Sequence, residues 1–239
     1  MRFDTHSSAR SLAGIVLLVV ATPLAAQTAD WTTGPGGNAA RDCLSSEIGP
    51  TEPEILWQGG LPAIVSQQAA IEGNVVVLPR IANFTIPTGT TIVAYNLHTG
   101  DELWTVQLPF TLPNEWRSRT SGIRDGQVYA TRAGNTNLAP MYALDVADGS
   151  IIWESEDLVD ESTTEGVSYA ADGDLIVGNF GSVMRIDKND GSTVWSTPRS
   201  CPTTNGCLIS VFGDRGYYWQ ASPAGPKVTA INITTGDVL

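Results

Sequence analysis

Four short segments of the chain alternate apolar and polar residues with the period of a half-buried β-strand. They are IVAYNL (92–97), MYALDV (141–146), VMRIDK (183–188) and KVTAIN (227–232). Each is followed by turn residues, HTGD, ADGS, NDGS or TTGD, in which glycine can adopt the positive φ that a tight hairpin needs. A second strand follows each turn, so every copy predicts a β-hairpin.

The four hairpins share one pattern, A-x-D/N-x-x-x-G-x-x-x-W, whose glycines recur at intervals of 42 to 49 residues. This spacing is typical of propeller blades. The Asp or Asn is predicted to accept backbone N–H bonds across the turn, and the Trp to lie flat on a neighbouring unit. The copies are Ala94, Asn96, Gly100 and Trp104; Ala143, Asp145, Gly149 and Trp153; Arg185 in place of Ala, then Asp187, Gly191 and Trp195; and Ala230, Asn232 and Gly236.

This pattern resembles the tryptophan-docking motif of the PQQ-type (quinoprotein) β-propeller repeats. The resemblance implies an all-β fold, a β-propeller of four-stranded antiparallel blades. The repeat units are predicted at 61–108, 109–157, 158–198 and 199–239. Innermost strands are predicted at 69–73, 121–125, 167–172 and 208–213, and second strands at 74–80, 127–133, 174–180 and 217–222.

The last unit stops at Leu239, one residue before the position where the other copies have Trp. Members with this repeat more often resemble seven- or eight-bladed discs. We therefore expect the chain to be an open arc of about four blades, with Trp encoded at codon 240 and more repeats beyond it.

The N-terminal residues are predicted to direct export. Residues 1–26 combine Arg2 and Arg10 with a short apolar run and small residues before Gln27, which is typical of a cleaved signal peptide. An uncleaved anchor is the alternative, although the apolar run is short for a membrane span. Residues 27–60 then form a lead-in, in which Glu54–Trp57 is the candidate strand for closing the ring; the alternative is a flexible lead-in. The expected location is the periplasm, the cell surface or the extracellular space.

Three cysteines bear on that compartment. Cys201 and Cys207 flank a turn-rich PTTNG loop that could bring them together as a disulfide, and two unpaired thiols are the alternative. Cys43 is left over, and its state is open.

The charge balance excludes one class of function. The chain has 13 Lys and Arg against 25 Asp and Glu, a net charge of −12, so the clustered basic surface of a nucleic-acid-binding protein is missing. The most ligand-like cluster is Trp116, Arg117 and Arg119, in the crossing from the first unit to the second. Trp116 could instead simply cover a blade edge.

No catalytic motif stands out. The sequence has no G-x-S-x-G, G-x-x-x-x-G-K-[ST] or H-E-x-x-H pattern. The quinoprotein resemblance implies Ca²⁺ and PQQ, yet the chain has no pair of adjacent cysteines and no acidic and amide set assignable to calcium. We therefore predict no cofactor, no metal and no catalytic residue, and a binding or scaffold module for an unknown protein or surface glycan. One version is an outer-membrane assembly scaffold. The alternative is a fragment of a PQQ- and Ca²⁺-dependent dehydrogenase.

Overall fold

The computed structural model describes residues 32, 37–38, 52, 54–59, 69–81, 90–113, 115, 117–134, 137–160, 166–201 and 208–239. Within these residues every regular element is a β-strand. No helix that could cross a membrane occurs in this part of the chain, which begins after the predicted signal peptide. The predicted all-β class is confirmed.

The strands form four antiparallel sheets, which we call blades 1 to 4, with neighbours in sequence paired in space. Blade 1 comprises β1 (Ala70–Glu72), β2 (Val75–Ile81), β3 (Thr90–Asn96) and β4 (Glu102–Val106). Blade 2 comprises β5 (Arg119–Arg124), β6 (Gln127–Thr131), β7 (Met141–Asp145) and β8 (Ile151–Glu154). Blade 3 comprises β9 (Ser168–Tyr169), β10 (Leu175–Gly178), β11 (Ser182–Ile186) and β12 (Thr193–Pro198), and blade 4 comprises β13 (Ile209–Phe212), β14 (Arg215–Gln220) and β15 (Lys227–Asn232).

The innermost strand of blade 3 is shorter than the sequence predicts. β9 covers Ser168–Tyr169 rather than residues 167–172. Ala170 N donates to Asp174 O at 2.8 Å and Gly173 N donates to Ala170 O at 3.0 Å, so the residues after Tyr169 form a turn.

The core lies between consecutive blades. We call the side of a blade that packs on the next blade its forward face, and the opposite side its back face. Three buried clusters join blades 1 and 2, blades 2 and 3, and blades 3 and 4. Because side chains alternate along each strand, a middle blade supplies one set of apolar residues to each neighbour. Within the described residues the forward face of blade 4 meets no further sheet, so the blades form an open arc.

Thr32, in the lead-in, contacts the innermost strands of two blades. Thr32 O accepts hydrogen bonds from Ile123 N at 2.8 Å and from the Tyr169 hydroxyl at 2.9 Å, on the innermost strands of blades 2 and 3. Residues 54–59 form no strand in this structure. Glu54–Trp57 as the closing strand of a complete ring therefore stays a prediction.

Candidate functional site: the loop face

The connections between strands divide the molecule into two sides. In a four-stranded meander the first and third connections lie at one end, and the second connection and the crossing to the next blade lie at the other. The first end carries short Asx–Gly turns, and we call it the turn face. The other end, which we call the loop face, carries every long connection, and such loops are where propellers commonly bind partners.

On the turn face the motif residues repeat one geometry. Asn96, Asp145, Asp187 and Asn232 each accept backbone N–H bonds within their own turn, as the sequence predicts. Gly100, Gly149, Gly191 and Gly236 have φ between 74° and 78°. A side chain at these glycines would be strained, because L residues avoid this region.

Each motif Trp lies against the glycine turn of the following blade. The indole N–H groups of Trp104, Trp153 and Trp195 donate to the carbonyls of Val146, Lys188 and Ile233 at 2.8, 2.8 and 3.0 Å. A Cβ on Gly149 would lie 2.7 Å from the Trp104 ring, and one on Gly236 would lie 2.8 Å from the Trp195 ring. Only glycine fits under these rings.

Trp57 lies against the glycine turn of blade 1, just as each motif Trp lies against the glycine turn of the blade that follows it. Sequence reasoning missed this contact. Its indole donates to Leu97 O at 2.8 Å, and a Cβ on Gly100 would lie 2.6 Å from its ring. The signal was available: Trp57 precedes Gly100 by about the interval that separates Trp104 from Gly149.

The third interface departs from the motif. Arg185 stands where the complete copies have Ala, and its guanidinium pairs with Asp174 at 2.9 Å and with Asp172. It also donates to Ile233 O, the carbonyl that Trp195 uses, at 3.2 Å. A cavity of about 230 Å³ lies beside it, between blades 3 and 4, and is also lined by Asp214.

On the loop face, a buried arginine holds the crossing from blade 1 to blade 2. Arg132, just after β6, donates from Nε and Nη2 to Leu108 O at 3.0 and 2.7 Å. Its guanidinium lies 3.7 Å above the ring of Phe110. Burial lowers the pKa of Arg132 to about 10, which still leaves it protonated at neutral pH. Glu115 closes the same crossing by accepting hydrogen bonds from Thr111 and Leu112.

A second arginine acts similarly between blades 3 and 4. Arg199 Nε donates to Asn179 O at 2.6 Å, and its guanidinium lies 5.4 Å from the centre of the Tyr218 ring. Burial lowers the pKa of Arg199 to about 10, although the Asp160 carboxylate opposes the shift. Asn179 Oδ1 in turn accepts from Asp160 N at 3.0 Å, which ties the crossing from blade 2 to blade 3 into the same network.

Four apolar side chains remain exposed on the connections that these arginines fasten: Phe110, Leu112, Leu138 and Leu158. Leu138 and Leu158 lie next to the two residues of the bridge between Ala139 and Val159, so the second connection of blade 2 and the crossing from blade 2 to blade 3 lie together.

The predicted cluster of Trp116, Arg117 and Arg119 is only partly described. Trp116 lies outside the described residues. Arg117 is buried, which lowers its pKa, and Arg119 is half-buried at the start of β5. A ligand role for the three stays a prediction, and the buried position of Arg117 favours a structural role for that side chain.

Cys201 is disulfide-bonded. Its partner lies outside the described residues, as do both Cys43 and Cys207. The Cys201–Cys207 pairing therefore stays a prediction, which mass spectrometry of unreduced peptides would decide.

Among the described residues, no three His, Cys, Asp or Glu side chains come together in a way that could hold a metal ion.

Comparisons with known proteins agree with the architecture. A family model described as outer membrane protein assembly factor BamB matches residues 47–154 and 137–239. A search of curated proteins gives no match. The quinohemoprotein alcohol dehydrogenase from Comamonas testosteroni is 14% identical over 91% of this chain and 41% of its own, with a TM-score of 0.58. BamB from Moraxella catarrhalis is 18% identical over 69% of this chain and 48% of its own, with a TM-score of 0.47.

The chain spans less than half the length of either structure. The family description names an assembly factor, whereas the quinohemoprotein structure with the same fold is a dehydrogenase, so family membership alone does not choose between binding and catalysis. The two family-model matches together extend from residue 47 to residue 239. The chain therefore belongs to the PQQ-type β-propeller repeat family described as outer membrane protein assembly factor BamB.

Proposed function

We propose that the chain is an exported, non-catalytic binding or scaffold module whose loop face holds a protein partner. The observation that carries this proposal is the pair of anchored crossings. Arg132 holds the crossing that presents Phe110, and the bridge between Ala139 and Val159 holds Leu138 and Leu158 together. A surface ordered before binding loses less conformational entropy when a partner arrives.

The chemistry of the exposed side chains favours a protein over a surface glycan, the other partner that the sequence suggests. Aromatic and aliphatic groups desolvate well against another protein. The net charge of −12 argues against nucleic acid.

Export rests on two supports. Residues 1–26 have the pattern of a cleaved signal peptide, which would leave no stable membrane span. The disulfide at Cys201 suits an oxidising compartment.

The partner surface can be tested by capture from an envelope extract. Leu138→Asp and Phe110→Ser should each abolish enrichment of the captured partner, because they remove apolar contacts on the loop face. Val194→Asp is the matched control: Val194 is 49% exposed against 50% for Leu138, but it lies on the outer strand β12. Equal capture by all three variants, with melting temperatures near that of the unaltered chain, would contradict the proposal.

The second candidate is a fragment of a PQQ- and Ca²⁺-dependent dehydrogenase, favoured by the fold shared with the quinohemoprotein enzyme. Reconstitution with PQQ and Ca²⁺ should give neither a bound quinone spectrum nor dye-linked alcohol oxidation. Tight stoichiometric uptake of PQQ would overturn the non-catalytic proposal.

A further inference from the structure

The cavity of about 230 Å³ between blades 3 and 4 lies on the turn face, away from the loop face. We call the connection between the first two strands of a blade its first turn. The first turns of blades 3 and 4 both line the cavity, together with Arg185. Ala170 and Ile233 supply apolar surface, and Asp172 and Asp214 supply carboxylates. Pockets for drug-sized ligands enclose roughly 300–1,000 Å³, so this cavity has room for one small unit.

At the two earlier blade interfaces, a carboxylate covers the first turn of the next blade. Glu72 of blade 1 accepts hydrogen bonds from Asp125 N at 2.6 Å and from Gly126 N at 2.9 Å, in the first turn of blade 2. Asp125 lies in the same way against blade 3, since a Cβ on Gly173 would be 2.9 Å from Asp125 Oδ2. The first turns of blades 2 and 3 are therefore both covered by the preceding blade.

The first turn of blade 4 is not covered in this way. Asp172 pairs with Arg185 of its own blade, which holds the carboxylate back from blade 4. A Cβ placed on Gly213 would meet no described atom within 4 Å. Arg185 stands where blade 2 has Ala143, so the residue that departs from the motif is also the one that keeps the cavity open.

Arg185 has hydrogen-bonding capacity left over. A guanidinium has five N–H groups, and the bonds among the described residues use three of them. Nε donates to Asp174 at 2.9 Å, Nη1 donates to Ile233 O at 3.2 Å, and Nη2 donates to Asp172. The side chain is only 11% exposed, and it lines the cavity. Because an unmet buried donor costs free energy, an oxygen atom placed in the cavity would be stabilised there.

The charges around the cavity decide which class of ligand suits it. An anion is disfavoured, because Asp172 and Asp214 line the cavity and Asp174 already pairs with Arg185. An organic cation would be repelled by the guanidinium and would leave its N–H groups unmet. The described carboxylates also form no metal-ion cluster. A hydroxyl group accepts from a guanidinium and donates to a carboxylate, so a neutral compound with adjacent hydroxyls satisfies both.

We propose that this cavity binds one neutral sugar unit, either a free monosaccharide or the terminal residue of a glycan. One hydroxyl accepts from the Nη atoms of Arg185, and neighbouring hydroxyls donate to the carboxylates of Asp172 and Asp214. The C–H face of the sugar packs on Ala170 and Ile233. Because the cavity lies on the turn face, this site is separate from the partner surface proposed on the loop face.

Ligand-observed NMR titration of the 239-residue chain with D-glucose, D-galactose, D-mannose and N-acetyl-D-glucosamine tests the proposal. At least one of these sugars should bind. Arg185→Lys and Asp214→Asn should each weaken that binding by about tenfold or more, because each loses a hydrogen bond to a charged group. Arg185→Lys keeps a positive charge beside Asp174, and the melting temperature of each variant shows that it is folded.

Asp148→Asn is the matched control. Asp148 is an exposed aspartate of the turn face that does not line the cavity, so its substitution should change the affinity by less than about twofold. A trisaccharide that ends in the bound sugar separates the two sources: equal affinity identifies the end of a glycan, and loss of binding identifies a free sugar.

Binding of none of these sugars, or equal binding by all the variants, would overturn the proposal. Displacement of the sugar by inorganic phosphate or by agmatine, a guanidinium compound, would overturn it as well, because the cavity would then select a charged ligand.

Discussion

The interface between blades 2 and 3 and the interface between blades 3 and 4 use the same motif with different chemistry. In the first, Ala143 lets Tyr129 and Trp153 pack within a cluster of buried apolar residues, with the two rings 6.0 Å apart. In the second, Arg185 replaces the alanine, pairs with Asp174, and borders a cavity. Trp195 there is only half-buried.

The difference shows which part of the motif the fold cannot vary. Both interfaces keep the indole donating to a carbonyl of the next blade and the ring over a positive-φ glycine. The small residue is replaceable because Arg185 supplies its own partners and shares the Ile233 carbonyl with Trp195. Contact between Trp and Gly is therefore the constant element, and the surrounding apolar contacts are the variable one.

Removal of each indole in turn should give the largest difference in stability between the two interfaces. Trp153→Ala should lower the free energy of unfolding by roughly 3–5 kcal/mol, because a buried aromatic leaves a cavity. Trp195→Ala should cost clearly less, since its ring is already half in solvent. Denaturant unfolding with equal losses for both would show that the polar interface depends on its Trp as much as the apolar one does.

A methyl group on the docking glycine should have the next largest effect. Gly149→Ala should cost roughly 2–4 kcal/mol, from positive-φ strain together with a clash against Trp104. Gly126→Ala is the matched control: its φ is 78° against 75°, but the nearest atom to its Cβ is Val146 Cγ1 at 3.8 Å. It should show the strain alone, roughly 1–2 kcal/mol.

The ion pair of the polar interface should contribute least. Asp174→Ala should cost about 1–3 kcal/mol, because the largely buried Arg185 loses a close partner. Asp172→Ala should cost under about 1 kcal/mol, since its carboxylate is mostly exposed and gains little from the pair. A larger loss for Asp172 than for Asp174 in thermal unfolding would reverse this reading.

The sequence predicts the features that lie inside one repeat. The third strand of blade 4 is observed at Lys227–Asn232, as the alternation of KVTAIN predicts, and the Asx–Gly turns follow from a few adjacent residues. Contacts between repeats were predictable where the Asx, Gly and Trp of the motif are all present, even in the copy that has Arg185 in place of Ala. Trp57 was missed as a docking residue because no Ala–Asx–Gly copy precedes it, and the partners of Arg185 come from a separate strand connection.

The candidate site was the least predictable part. Sequence reasoning chose Arg117 as a ligand residue because it is a guanidinium in a basic-poor chain, yet its side chain is buried. Arg132, which holds the crossing at Phe110, gave no local signal beyond its position at the end of a strand. Burial is set by how loops from separate blades fold over each other, and residue type alone does not encode that.

A double-mutant cycle between Trp104 and Gly149 tests most directly the claim that the Trp–Gly contact joins successive blades. If the ring causes the clash, Gly149→Ala should cost no more than Gly126→Ala once Trp104→Ala has removed that ring. In denaturant unfolding, the account predicts that the double variant loses less free energy of unfolding than the sum of the two single losses, by about 1–3 kcal/mol. Additivity within about 0.5 kcal/mol would contradict it, because the two residues would then act independently.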